Sequence, residues 1–210
     1  MHEILEQFGN IPVTMGAIAS LFPDIRSPRH KVRSLEKEGE IIRLKKGLYV
    51  VSPRVSRVAL SEALIANRLF SPSYVSMHWA LRYYGLIPEA VYLVQSMTLK
   101  HARTFETPIA RFDYTTISQE AFSIGVKIVK EKTFAYWIAT PEKALCDLIA
   151  NALGVRLRYK VETAEFLFED LRMDEEDFYN MDASIFERYI AVGKKASSIK
   201  SVLELLKNGQ

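Results

Sequence analysis

The sequence predicts an α+β protein in two parts. A winged helix-turn-helix domain over residues 1–52 is followed by a mixed α/β domain over residues 53–210 that ends in a helical tail. Three observations carry this expectation. Helix punctuation divides the first fifty residues into three short helices and a hairpin. β-prone runs gather between residues 91 and 139, and from Glu162 onward the pattern is helical.

The elements follow in chain order. Ile4, Leu5 and Phe8 suit a short amphipathic helix that ends near Gly9-Asn10. Val13, Ile18 and Leu21, with Thr14 as N-cap, predict a second helix that stops at Pro23. Ser27-Pro28 reads as a cap followed by proline at the first helical position, where its missing N–H does no harm. This third helix should run to about Glu38 and stop at Gly39. Ile41–Leu44 and Leu48–Val51 are short β-prone runs around the turn signal Lys45-Lys46-Gly47. A domain boundary is expected near Ser52-Pro53-Arg54.

Beyond it, Ser61–Phe70 and Met77–Tyr84 read as helices around a short strand at residues 72–76. Val91–Thr98, Thr104–Phe105, Arg111–Ile117, Val126–Val129 and Phe134–Ala139 read as strands. Thr140-Pro141-Glu142 opens a helix to about Leu153, and Ala164–Leu171, Glu175–Tyr179, Ala183–Val192 and Ser197–Lys207 complete the tail.

Composition narrows the class. The chain is 49% hydrophobic and 25% charged, with nine Gly and eight Pro in 210 residues, which excludes collagen-like and disordered chains. The longest uncharged stretch, Gln7–Pro23, holds Asn10, Pro12, Gly16 and Pro23. It is a poor bilayer span, which needs about 20 mainly apolar residues. The start, MHEILEQF, has no basic region of the kind that opens a signal peptide. Cys146 is the only cysteine, so neither an intramolecular disulfide nor a multi-cysteine metal site can form. The expectation is a soluble cytoplasmic protein without cofactor or metal.

Net charge is only +3, but its distribution is uneven. Residues 26–46 hold eight basic side chains against three acidic ones, and residues 160–190 hold three basic against ten acidic. On a wheel of the third helix, Pro28, Val32 and Leu35 fall on one side. His30, Arg33 and Lys37 fall on the other, flanked by Arg29 and Ser34. An apolar stripe opposite long hydrogen-bond donors is the form a recognition helix needs for the major groove. Arg29, His30 and Arg33 are therefore the candidate base readers, since arginine can pair bidentately with a guanine edge. Arg26, Lys37, Arg43, Lys45 and Lys46 are the candidate phosphate contacts, with Lys45 and Lys46 at the wing tip. The expected partner is double-stranded DNA. The alternative for this module is a protein-contact surface without DNA binding.

EGEIIRLKKGLYVV at 38–51, PSYVSMHWALRYYGLIPE at 72–89, QSMT at 95–98 and IATPEKALCDLI at 138–149 resemble the AbiEi antitoxins of abortive-infection systems. These are the transcriptional-regulator halves of type IV toxin–antitoxin pairs, and the resemblance spans roughly residues 10–150. It implies that the front domain binds inverted repeats in its own promoter. It also implies that the C-terminal domain counteracts a nucleotidyltransferase-type toxin.

The remaining motifs have plainer readings. Trp79, Leu81 and Tyr84 read as core-facing and Gly85 as a C-cap. Glu142, Lys143 and Asp147 point in different directions on a helix, so capping and surface pairing are expected, and Cys146 reads as a small buried hydrophobe. The histidines at 2, 30, 78 and 101 form no ligand pair, and no enzyme is expected. The enzyme alternative is a nuclease-like site in 104–139 built from Asp113, Glu131 and a lysine among Lys127, Lys130 and Lys132. The acidic residues of 160–190 interleave with Phe166, Phe168, Leu171, Phe178 and Tyr179. They suit either amphipathic helices with wet outer faces or a surface for a basic toxin.

Overall fold

In a computed structural model, which describes residues 2–209, the chain is α+β. Its front module runs α1 (His2–Glu6), β1 (Val13–Thr14), α2 (Met15–Ala19), α3 (Pro28–Lys37), β2 (Ile41–Lys45), β3 (Leu48–Val51) and α4 (Pro53–Ser56). Thr14 caps α2 as expected, its hydroxyl accepting from the Ala17 N–H at 3.2 Å. The helix is shorter than expected and ends at Ala19, ahead of Pro23. Ser27 caps α3 with its carbonyl, which accepts from His30 and Lys31 N–H, and its hydroxyl makes no capping bond. Gly39 and Gly47 take φ of +70° and +80°, the left-handed backbone that ends α3 and turns the hairpin.

Strand β1 was not expected from the sequence. It pairs Val13 with Tyr49 and Thr14 with Leu48, giving an antiparallel sheet in the order β1-β3-β2. The expected boundary at Ser52-Pro53-Arg54 is the start of α4. Ser52 accepts from the Arg54 N–H, and Val55 packs into the front core with Leu5, Ile18, Val32, Leu35 and Val51.

Every residue of β3 is buried, because period-two alternation sends its side chains into two different cores. Tyr49 and Val51 join the front core, while Leu48 and Val50 join the larger one. The hairpin is therefore the seam between the two cores.

The larger part contains α5 (Glu62–Leu69), β4 (Ser73–Val75), α6 (Met77–Tyr83), β5 (Leu93–Thr98), β6 (Arg103–Glu106), β7 (Arg111–Thr116) and α7 (Gln119–Phe122). It continues with β8 (Val126–Lys130), β9 (Ala135–Ala139), α8 (Pro141–Asn151) and α9 (Lys160–Ala164). A π-helical turn at Glu165–Asp170, then α10 (Glu175–Tyr179), α11 (Ala183–Ile190) and α12 (Ala196–Gly209), close the chain. The six strands form one mixed sheet in the order β6-β7-β5-β4-β9-β8. The β5–β7 and β4–β9 pairs are parallel and the others antiparallel.

The C-terminal helices are part of the main core. Phe178, Phe186, Tyr189, Ile199, Val202 and Leu206 are buried with α8 residues Leu145 and Ile149. The acidic side chains of 160–190 lie on the outside. No helix among the described residues is long and apolar enough to cross a membrane.

Candidate nucleic-acid interface

Helix α3 has two faces. Val32 and Leu35 are fully buried against the front core. Arg29, His30, Arg33 and Lys37 are exposed, as is Arg26 in the loop before the helix. Lys31 stands at the margin, its ammonium 5.7 Å from the centroid of the Phe22 ring. The helix C-terminus is held by Arg54, whose guanidinium donates to the Glu38 carbonyl at 2.9 Å. A cation there also complements the helix dipole.

The β2–β3 hairpin adds Arg43 and Lys46, both exposed. Arg43 lies two residues from Ile41 and opposite Tyr49, so it belongs to the hairpin face that covers the front core. None of the ion pairs among the described residues engages Arg26, Arg29, Arg33, Lys37, Arg43 or Lys46. Six cations are thus presented to solvent without an internal partner.

Lys45 departs from the expected wing tip. The β2–β3 register shifts between Arg43 and Lys45, which turns its side chain toward the larger part of the molecule. Its ammonium donates to the Leu69 carbonyl and lies 5.8 Å from the Phe105 ring centroid. Burial lowers its pKa, and nearby Lys100 and Arg103 lower it further. Lys100 and Arg103 are exposed cations that the sequence reading missed, because β6 reaches the β2–β3 hairpin only through the tertiary fold.

A second polar centre lies inside the larger core. Lys143 and Asp147 form an ion pair of 2.8 Å with both side chains fully buried. The other carboxylate oxygen of Asp147 accepts from Tyr74 Oη at 3.0 Å and Ser76 Oγ at 2.8 Å. The Tyr189 ring centroid is 4.3 Å from Lys143 Nζ. Surface pairing was the wrong expectation for these residues, since α8 is enclosed along almost its whole length. Burial raises the Asp147 carboxyl above its usual value, against the opposing pull of Lys143, Ser76 and Tyr74. Burial likewise pushes the Cys146 thiol well up, so it behaves as the inert hydrophobe its position suggested. With no solvent access, this network ties β4, α6, α8 and α11 together.

Glu142 is nearly buried and accepts from the Asp182 N–H at 3.1 Å. Leu81 is in the core, while Trp79 and Tyr84 are half-buried and hydrogen-bonded to Glu62 and the Ala139 carbonyl. The nuclease-like pair does not assemble. Asp113 is on β7 and Glu131 follows β8, so the intervening strands β5, β4 and β9 separate them by roughly 19 Å at the usual strand spacing. No group of three or more His, Cys, Asp or Glu among the described residues is arranged to hold a metal. Compared with known families and curated proteins, the chain matches no family model and no curated sequence.

Proposed function

We propose that this protein is a DNA-binding transcriptional regulator that represses its own promoter, with residues 1–56 acting as a winged helix-turn-helix. The observation that carries the reading is the two-faced α3, which buries Val32 and Leu35 and leaves Arg29, His30, Arg33 and Lys37 unpaired in solvent. A helix fixed by its apolar side and free on its cationic side can enter a major groove without rearranging the fold. Arg29, His30 and Arg33, in the N-terminal half, read base edges. Arg26, Lys37, Arg43 and Lys46 neutralise phosphates and set the register of docking. Lys45 is set apart from them, because the Leu69 carbonyl already holds its ammonium.

The resemblance of 72–89 and 138–149 to AbiEi antitoxins extends the proposal to a cytoplasmic antitoxin role. In it the larger part of the chain counteracts a nucleotidyltransferase-type toxin. Both segments converge on the buried Asp147 network through Tyr74, Ser76 and Lys143, so they would act by shaping that domain.

The test is a gel-shift titration on the protein's own upstream DNA and on random duplex at two salt concentrations, with Arg33→Glu/Lys46→Glu alongside. A salt-sensitive, sequence-preferring shift that the variant loses supports the reading. A shift without preference, or one the variant keeps, overturns it and marks the front module as a protein-contact surface.

A further inference from the structure

A cleft of about 430 Å³ lies where the front module, the start of α5, α6 and the β8–β9 turn come together. Asn10 is its front-module wall. That side chain is buried and donates to the Ala59 carbonyl at 2.9 Å, which ties the front module to the α4–α5 connection. Two aromatic pairs also line the cleft. On α6, Trp79 and Tyr83 stand one turn apart, with ring planes 11° apart and centroids 5.9 Å apart. At the start of β9, Phe134 and Tyr136 pair with centroids 6.3 Å apart.

Glu62 and Glu131 are the charged lining residues, and no Lys, Arg or His joins them. Glu62 opens α5 and steadies Trp79, its Oε2 accepting from the indole N–H at 3.0 Å. Glu131 sits in the β8–β9 turn, which its own N–H closes by donating to the Phe134 carbonyl at 2.8 Å. Burial raises the Tyr136 hydroxyl above its ordinary pKa, and Tyr83 and the charge of Glu131 add to this, so that carboxylate stands near the ring. The groups that would recognise a ligand are open to solvent. Tyr83 is 46% exposed, Glu131 is exposed, and Glu62, Trp79 and Phe134 are half-buried. Neither carboxylate joins an ion pair among the described residues. Lys127 covers the adjoining Tyr84 ring at 4.7 Å, outside the cleft lining, and no described cation lies over the four lining rings.

Two unpaired carboxylates beside aromatic faces select a cation. A guanidinium suits both kinds of wall, because it is flat, weakly hydrated, stacks on rings and donates to carboxylates through its N–H fork. An ammonium is compact and strongly hydrated, and it gains less from the rings. We infer that this cleft binds a small-molecule guanidinium, its plane against the Trp79–Tyr83 pair and its N–H groups donating to Glu62 and Glu131. The concave walls and the volume are those of a small-molecule site rather than of a flat protein contact. The inference is independent of DNA binding.

The test uses the full chain labelled with nitrogen-15 and follows the indole N–H signals of its two tryptophans, Trp79 and Trp137. The probes are butylguanidinium, its neutral isostere butylurea, butylammonium, and a capped tripeptide with arginine at its centre. Butylguanidinium should shift the Trp79 signal saturably and leave Trp137 in place, with a dissociation constant on the order of 1 mM for so small a ligand. Butylurea should bind roughly tenfold more weakly, the usual worth of a charge-assisted hydrogen bond, and butylammonium should also bind more weakly. Glu62→Gln/Glu131→Gln should abolish the preference for butylguanidinium over butylurea. Glutamine at 62 keeps an acceptor for the Trp79 indole, and 131 is a surface position, so this variant keeps the fold. Absence of a saturable Trp79 shift with butylguanidinium overturns the inference. So does equal binding of butylurea or butylammonium, or a preference over butylurea that survives the double variant. Tighter binding of the tripeptide than of butylguanidinium also overturns it, and marks the cleft as a protein-docking surface.

Discussion

Helices α3 and α8 both carry long cations, and they use them in opposite ways. On α3, Arg29, Arg33 and Lys37 stand in solvent, and the helix packs on the front core through Val32 and Leu35. On α8, Lys143 is fully buried, paired to Asp147 four residues on and roofed by the Tyr189 ring. Removing the charge of Arg29, Arg33 or Lys37 should leave the fold as it was, because no ion pair among the described residues engages them. Removing one from α8 strands its partner in a medium that cannot solvate it. Charge thus faces solvent in one helix and is internal architecture in the other.

The largest expected effect breaks this contrast on the α8 side. Lys143→Met leaves Asp147 buried without its counterion and should cost about 3–5 kcal/mol, read from urea unfolding. Lys143→Met/Asp147→Asn should recover more than half of that loss. The penalty should also depend on pH in a definite sense. Burial already raises Asp147 above its ordinary value of 3.8, and loss of Lys143 raises it further. An acid whose folded pKa is raised favours folding when protonated, so the loss should be small near pH 4 and grow as pH rises. A single variant that unfolds like the parent at neutral pH would show that the pair contributes nothing to stability.

The same contrast shows what could be read in the sequence. The α3 boundaries and the hairpin follow from local chemistry: Pro28 at the first helical position, Gly39 and Gly47 where φ turns positive. The basic face was legible for the same reason, since helix geometry alone separates Arg33 from Val32 and Leu35. The ion pair was half legible. Lys143 and Asp147 stand at the four-residue spacing of a helical pair, and α8 carries apolar residues all round it, which marks an enclosed helix. What encloses it, however, is Tyr189 and the C-terminal helices some forty residues downstream, and no local pattern encodes that contact. Strand β1 was illegible because two residues become a strand only by pairing with Tyr49 and Leu48.

The α3 side is sharpened by Arg33→Ala. It should weaken binding to the specific duplex by ~1–3 kcal/mol, leave random duplex nearly unchanged, and shift stability by no more than about 0.5 kcal/mol. Equal losses on both duplexes would move Arg33 from base reading to phosphate contact. A large stability loss would show that its surface position is misread.

The smallest effects fall on neighbouring lysines of one turn, where the contrast shrinks to a single step of chain. Lys46 is exposed and Lys45 is held by the Leu69 carbonyl, because the register shift in β2 sends the two side chains different ways. Lys46→Ala should therefore lower the salt dependence of DNA binding by about one phosphate contact and leave unfolding untouched. Lys45→Ala should do the reverse. It loses a hydrogen bond and the Phe105 contact at a half-buried site, a cost of about 1 kcal/mol in stability, with the salt slope preserved. If both variants lower the salt slope equally, the seam between the β2–β3 hairpin and the larger part opens on DNA, and Lys45 leaves Leu69 for a phosphate. The pair of slopes, measured beside the pair of unfolding midpoints, separates a hairpin fixed to the larger part from one that swings free.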